Sequence, residues 1–244
     1  KELEVLSDIT ASQIQEIKEA VGKKIVKVSL LDTTHQLHII VDAYSGTDHA
    51  KACLADTHTG IYHIEKNGNV LFNEELGESD KQEIDYSKLN IRDILLYANE
   101  VELTPIRPLF EREITYNTAI SDEGLKNDWG AGVGKTIKAN AADERSMLIA
   151  RAAAGSDARM NGCALPVVIN SGSGNQGITV SLPVIQYAKN RKINEDTMIR
   201  ALIVSNLVAI RQKRDIGRLS AFCGAVSAAT GSACGIAYLD HQPY

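Results

Sequence analysis

The stretches Leu37-His38-Ile39-Ile40-Val41-Asp42-Ala43-Tyr44 and Ala50-Lys51-Ala52-Cys53-Leu54 decide how the first third of this chain is read. Leu37, Ile39, Val41 and Ala43 recur every second residue, and so do Ala50, Ala52 and Leu54. A period of two puts alternate side chains on one face, the pattern of a half-buried antiparallel strand. Val26, Val28 and Leu30 interleave with Lys27 and Ser29 and predict another strand ahead of them. Further on, residues 61–66 and 69–72 flank Asn67-Gly68, a dipeptide that favours a type I′ hairpin turn. Upstream, Ile14, Ile17 and Val21 mark a short amphipathic helix that ends at Gly22. Together these segments predict an α+β unit with an antiparallel sheet over residues 1–87.

From about residue 88 the period becomes helical. Ile91, Leu95 and Leu96 form one stripe. Thr104 followed by Pro105 reads as an N-cap and first helical position, opening a helix through Ile106, Leu109, Phe110 and Ile114. Residues 142–160 are Ala-rich and helical. Asn194 caps a helix with Glu195 and Asp196 in its first turn and Arg211, Lys213 and Arg214 in its last, a polarity that complements the helix dipole. A last helix is expected from Leu219 toward Gly235. The fold class is therefore α+β: an N-terminal antiparallel sheet with helices, then an all-helical domain of catalytic type over residues 88–244.

Composition removes several function classes. The 244 residues are 44% hydrophobic and 23% charged, which is ordinary for a globular chain and excludes disorder as its description. A net charge of −5 and 5% aromatic residues argue against a nucleic-acid partner held by charge or by base stacking. Four cysteines are too sparse for a disulfide scaffold. Residues 161–188 and 219–239 carry no charge. The first is interrupted by prolines, glycines and amides and the second is mostly Ala, Gly and Ser, so both read as buried segments and no membrane is expected. The start Lys1-Glu2-Leu3-Glu4 carries no secretory signal, and the cytoplasm is the expected location.

The segment Ser171-Gly172-Ser173-Gly174-Asn175-Gln176-Gly177 is the richest in chemistry. It follows Val167-Val168-Ile169 and precedes a helical pattern. Glycines let the backbone wrap a small anion, Ser171, Ser173, Asn175 and Gln176 supply donors, and a helix N-terminus adds unpaired N–H groups. A carboxylate or phosphate suits such a cradle. Trp129-Gly130-Ala131-Gly132-Val133-Gly134-Lys135-Thr136 has the look of a phosphate loop. It lacks the first glycine of that pattern and a buried strand ahead of it, so it reads as a linker, with Lys135 reaching a neighbouring site as a second reading. His58 stands in a polar turn. Of the cysteines, Cys53 lies in a strand pattern, and no Cys-x-x-Cys pair occurs. Cys223 and Cys234 would sit roughly 16 Å apart along one helix at about 1.5 Å per residue.

The run Met160-Asn161-Gly162-Cys163-Ala164-Leu165-Pro166-Val167 leading into Ser171–Ile178 resembles the iron–sulfur L-cysteine desulfidases, which belong with the serine-dehydratase-like alpha proteins. Gly217-Arg218-Leu219-Ser220-Ala221-Phe222-Cys223-Gly224, the run from Gly235 to Leu239 and Asp56-Thr57-His58-Thr59-Gly60-Ile61 extend the resemblance over nearly the whole chain. The resemblance implies a lyase that eliminates the β-substituent of L-cysteine or L-serine, giving pyruvate and ammonia. It implies a [4Fe–4S] cluster whose open iron acts on the leaving group. It implies an amino-acid substrate whose carboxylate sits at Ser171, Gly172, Ser173, Gly174, Asn175 and Gln176. Cys223 matches a cluster position, with Cys163 and Cys234 as weaker candidates. His58 and Lys135 are secondary candidates, and no residue is assigned as catalytic base. The family's N-terminal Leu-Gly-Cys-Thr-Glu-Pro and C-terminal Cys-Asp-Gly-Ala-Lys segments do not stand in this chain, which therefore reads either as a fragment or as a relative whose catalytic equipment has been lost. A non-catalytic amino-acid-binding relative or sensor is the alternative, and a homodimer is an expected assembly.

Overall fold

A short helix and a four-stranded sheet make up one unit of the chain, residues 1–84, and a set of packed helices makes up the other, residues 85–244. The computed structural model of the protein describes residues 9–35, 37–57, 59–76, 85–216 and 222–241, with the Cys223 side chain outside that description.

In the first unit, helix α1 (Ala11–Gly22) opens on a capping box. The Gln13 N–H donates to Thr10 Oγ1 at 3.4 Å, and the Thr10 N–H donates to Gln13 Oε1 at 2.9 Å. The sheet is an antiparallel meander of β1 (His38–Ser45), β2 (Asp48–Ala55), β3 (Ile61–Lys66) and β4 (Asn69–Asn73), paired in that order. Asn67 and Gly68 take φ of 51° and 79°, the left-handed pair that a type I′ turn demands. The Asn67 side chain ties this turn to the other hairpin, accepting from the His49 N–H at 2.7 Å and donating to Asp48 at 2.8 Å.

Two expectations for this unit need correction. Residues 26–30 form no strand: Val28 is 92% and Leu30 100% exposed. Alternation reports a face that could be buried, but a strand also needs a neighbour for its N–H and C=O groups, and the sheet begins at β1. In addition, the pairings Ile39↔Leu54, Val41↔Ala52 and Ala43↔Ala50 do gather the apolar residues on one face, yet Ile39 and Val41 remain about half exposed. The covered positions of β2 are Cys53 and Ala55, on the other face. Period fixes which residues share a face; only packing decides which face is covered.

The helical unit begins with a short 3₁₀ turn (Tyr86–Lys88) and α2 (Ile91–Glu100). It continues with α3 (Arg107–Lys126), α4 (Val133–Ala139), α5 (Glu144–Met160), α6 (Gly174–Asn190) and α7 (Glu195–Ile216). A π-helical segment (Cys223–Ala228) runs into α8 (Ala229–Leu239). Helix α3 starts later than Thr104-Pro105 suggests. Ile106 stands at its N-cap and Pro108 in its first turn, while Thr104 spends its N–H and hydroxyl on Glu102. Pro108 fits there because first-turn N–H groups have no helical partner to lose. The cap of α7 is the expected one: the Thr197 N–H donates to Asn194 Oδ1 at 2.9 Å. Glu195 and Asp196 also pair with Arg107 of α3 at 2.8 and 2.5 Å.

Helix α6 forms the centre, packed against α3, α5, α7 and α8. Ile178, Val180 and Val184 are fully buried along it, which accounts for the absence of charge from the buried part of α6. The rest of the uncharged stretch is not the buried segment expected, since Leu165 and Ile169 are 40% and 56% exposed. Among the described residues no helix is long and apolar enough to cross a membrane. At the other side of the unit, helices meet through glycine. A Cβ on Gly124 of α3 would stand 2.0 Å from the Ala154 carbonyl oxygen of α5, and one on Gly134 of α4 would stand 2.4 Å from the Ala154 nitrogen.

Candidate functional site

The loop before α6 is a tight turn built on itself. The Asn170 N–H donates to the Ser173 carbonyl at 3.1 Å and the Ser173 N–H to the Asn170 carbonyl at 3.0 Å. Ser171 and Gly172 between them have φ of 47° and 80°. A serine in the left-handed region costs roughly 1–2 kcal/mol. Such strain persists only where the surroundings over-determine it, and it concentrates at functional sites. Ser173 then caps α6, accepting from the Gln176 N–H at 3.4 Å. Gly177 is required by close approach, since a Cβ there would stand 2.0 Å from the Val168 carbonyl oxygen.

Two sets of buried polar side chains hold this turn. Asn117 of α3 is fully buried and braces the strand-like approach against α6. Its Nδ2 donates to the Val168 and Gly177 carbonyls at 3.3 Å and to Ser181 Oγ at 2.9 Å, while its Oδ1 accepts from the Val168 N–H at 2.9 Å. The second set is a one-way relay. Gln176 Nε2 donates to Asn170 Oδ1 at 2.8 Å, and Asn170 Nδ2 donates to Asn206 Oδ1 at 2.8 Å. Asn206 Nδ2 donates in turn to the two carboxyl oxygens of Glu113 at 3.1 and 3.3 Å. Burial pushes the Glu113 carboxyl up to about 8 against the pull of the Asn206 hydrogen bond, so it keeps its proton at neutral pH. Gln176 Oε1, at the far end of the relay, is buried without a partner.

On the outer side of the turn lies a cation. Arg159, near the end of α5, packs against Gly174, where a Cβ would meet its guanidinium, and donates to Asn175 Oδ1 at 3.2 Å. No carboxylate among the described residues pairs with it. The N–H groups of Gly174 and Asn175 head α6 without an intrahelical partner, so their partial positive charge adds to that of Arg159.

The remaining sequence candidates are placed as follows. Ser171, Ser173 and Asn175 are half-buried, Gly172 is exposed, and Gly174 and Gln176 are buried. Lys135 is bound to Asp128 in its own loop and holds that carboxyl below its usual range. Gly134 beside it serves packing against α5, its N–H donating to Asp157 at 2.9 Å, and α4 is only seven residues long. His58 lies outside the described residues. Cys163 packs among Ile120, Ala158 and Ile178, and Cys234 packs against the core between α6 and α7 with its thiol pushed up by burial. Cys53 is buried in β2 of the first unit. The Cys223 side chain also lies outside the described residues, but its backbone has a place. Ala228 packs on Val180, a Cβ on Gly235 would touch Val184 at 2.8 Å, and Asp240 reaches Tyr187. The π segment and α8 thus run parallel to α6, and Cys223 falls toward the end where α6 begins.

These positions do not fit a [4Fe–4S] cluster built from the described residues. Cys163 and Cys234 sit in separate apolar clusters, and no three His, Cys, Asp or Glu side chains among the described residues converge on one point. No step is derived through such a group. With iron and sulfide supplied under nitrogen, residues 1–244 are expected to take up no stable cluster, because several thiolates are needed to anchor one. Absorbance near that of a bound cluster after desalting, with stoichiometric iron, would overturn this.

Sequence reading alone did not single out Glu113, Asn117, Asn206 or Arg159. A signal was present on α3. Phe110, Glu113, Asn117, Ile120, Ser121 and Gly124 follow one helical face, and two large polar residues inside an otherwise apolar stripe mark groups that must find partners in the interior.

The family model for the serine dehydratase alpha chain matches residues 1–244. A UPF0597 protein of Lachnoclostridium phytofermentans is 50% identical over 240 residues, covering 98% of this chain and 58% of the relative. UPF0597 proteins of Desulfitobacterium hafniense and Finegoldia magna are each 42% identical, over 100% and 98% of this chain and 57% of theirs. The chain thus spans somewhat under three fifths of the length of these relatives. No solved structure matches. With a match along its full length, the chain belongs to the serine dehydratase alpha chain family.

Proposed function

We propose that the Ser171–Gln176 turn and Arg159 bind the carboxylate of a small amino acid, L-serine or L-cysteine, as part of a cytoplasmic lyase that eliminates the β-substituent. The observation that carries this reading is Arg159, a half-buried guanidinium without a carboxylate partner among the described residues, set beside N–H groups at the head of α6 that have no intrahelical partner. A guanidinium and helix N–H groups are the donors that a carboxylate takes. The family description supports a dehydratase-like reaction. Of the iron–sulfur cluster that the resemblance implies, this chain would supply the Cys223 thiolate, and the other ligands would come from outside residues 1–244.

The lack of convergent ligands favours a second statement within this reading: residues 1–244 bind the amino acid without turning it over. The test is a calorimetric titration with L-serine and L-cysteine beside ethanolamine and cysteamine, which lack the carboxylate. Binding of the amino acids alone, weakened at least tenfold by Arg159→Gln, is the expected result. Equal binding of ethanolamine, or an unchanged affinity in the variant, would sink the assignment. Release of pyruvate by residues 1–244 would overturn the statement that they bind without turnover.

A further inference from the structure

A cavity of about 300 Å³ opens between α3 and α7, floored by Val168 to Ser171 on the inner side of the turn. Leu109 and Phe110 of α3 and Ile203, Leu207 and Ile210 of α7 give it apolar walls. Its size lies at the lower edge of the range of small-molecule pockets. Glu113 lines it next to Asn206, and Asn170, Ser171 and Tyr97 are its other polar lining residues. Arg159 does not line this cavity, but Ser171 of the turn does, so the cavity adjoins the carboxylate cradle without containing its cation.

Glu113 is poorly served by the protein. It is 2% exposed, and among the described residues its hydrogen-bond donor is one amide nitrogen, shared between both oxygens and also given to the Leu202 carbonyl. A carboxylate has about four lone-pair sites to fill. No lysine, arginine or histidine among the described residues pairs with it, and Tyr97 is the other titratable side chain lining the cavity. In its ionised form an acid buried in this way lacks a counter-charge and donors, which is why it holds its proton, and an ammonium would supply both at once. An apolar body attached to the ammonium would cover the walls, removing their surface from water.

We propose that this cavity is a binding site for a primary amine with a compact apolar body, held through its ammonium by Glu113. The site goes beyond the amino-acid reading and does not depend on it. Binding has a signature that mere filling of an apolar hole lacks. At pH 7 the free carboxyl carries its proton, since burial raises it to about 8. The incoming ammonium keeps its own proton and forms an ion pair with the carboxylate, so the Glu113 proton leaves to the buffer.

The test uses residues 1–244 and 2-phenylethylamine, titrated at pH 7 in two buffers of different ionisation enthalpy. The expected result is saturable binding with release of about one proton per amine bound. Glu113→Gln, which keeps the shape and a hydrogen-bonding oxygen, is expected to weaken binding at least tenfold and to abolish the proton release. 3-Phenylpropionate, of the same length and opposite charge, is expected not to bind. The proton count on the wild-type protein stands even if the variant fails to fold. Absence of amine binding, binding without proton release, equal affinity in a folded Glu113→Gln variant, or binding of the propionate would each overturn the proposal. Loss of serine binding with amine binding retained would count against the amino-acid reading alone.

Discussion

Asn117→Ala is expected to destabilise the helical unit by roughly 3–5 kcal/mol, since buried groups left unpaired cost about 1–3 kcal/mol each. The alanine deletes an amide that makes four hydrogen bonds at a fully buried position. The partners do not suffer alike. The Gly177 carbonyl keeps the Ser181 hydroxyl as a donor at 2.7 Å. The Val168 N–H has no other acceptor among the described residues and would be left unpaired where water enters poorly. A cavity the size of the lost amide adds to that cost. Asn117→Asp should be no rescue, because it replaces two donors by acceptors facing carbonyl oxygens. Urea unfolding followed by circular dichroism measures the effect as a lower midpoint at constant slope. A loss below about 1 kcal/mol would mean that the brace is dispensable, because that is the net worth of a single ordinary hydrogen bond. A folded variant should also bind L-serine more weakly, because Val168 and Gly177 set the ends of the turn.

Gly124→Ala is expected to cost about 3 kcal/mol, the upper part of the usual range for overpacking a well-filled interior. The added methyl would stand 2.0 Å from the Ala154 carbonyl oxygen and 2.6 Å from its carbon. Both are backbone atoms of α5, so no side-chain rotation can relieve the contact. Helix α4 closes on the same residue, a Cβ on Gly134 standing 2.4 Å from the Ala154 nitrogen, so α5 is in tight contact with two helices at this point. In an ordinary helix interior the same substitution would gain about 1 kcal/mol from propensity. The observed sign therefore decides between propensity and packing. Gly132→Ala is a useful control: its φ of 65° is left-handed, but nothing lies within 4 Å of the added Cβ. That change should cost only about 1–2 kcal/mol, from backbone strain alone. Thermal unfolding of the two variants should rank Gly124→Ala below Gly132→Ala. A Gly124→Ala variant as stable as the wild type would show that α3 and α5 can slide apart freely.

The elements were legible where local rules act alone. The Asn67-Gly68 hairpin, the Asn194 cap of α7 and the helix over Glu144–Met160 follow from turn geometry, capping and periodicity within a few residues. The start of α3 was misplaced because Pro105 and Pro108 both satisfy the first-turn rule, and the choice between them depends on where Leu103 and Arg107 find partners. The glycine-rich turn ahead of α6 stood out because few sequences put three glycines and two amides between uncharged segments. Its neighbours did not. Arg159 lies sixteen residues from Asn175 in sequence, and Glu113 lies ninety-three from Asn206.

By itself, the sequence determined the α+β order of the chain, the strand and helix periods, the conformation of the Asn67-Gly68 turn and the family to which the chain belongs. All of these rest on residues close together in the chain or on a pattern carried along its whole length. The tertiary structure decided which sheet face is covered and that residues 26–30 form no strand. It also decided that Lys135 is engaged by Asp128, and that Asn206 meets Glu113 at the wall of a cavity. Those outcomes depend on desolvation, close backbone approach and hydrogen-bond partners from distant elements. Such quantities take their values only when helices pack, so no local pattern carries them.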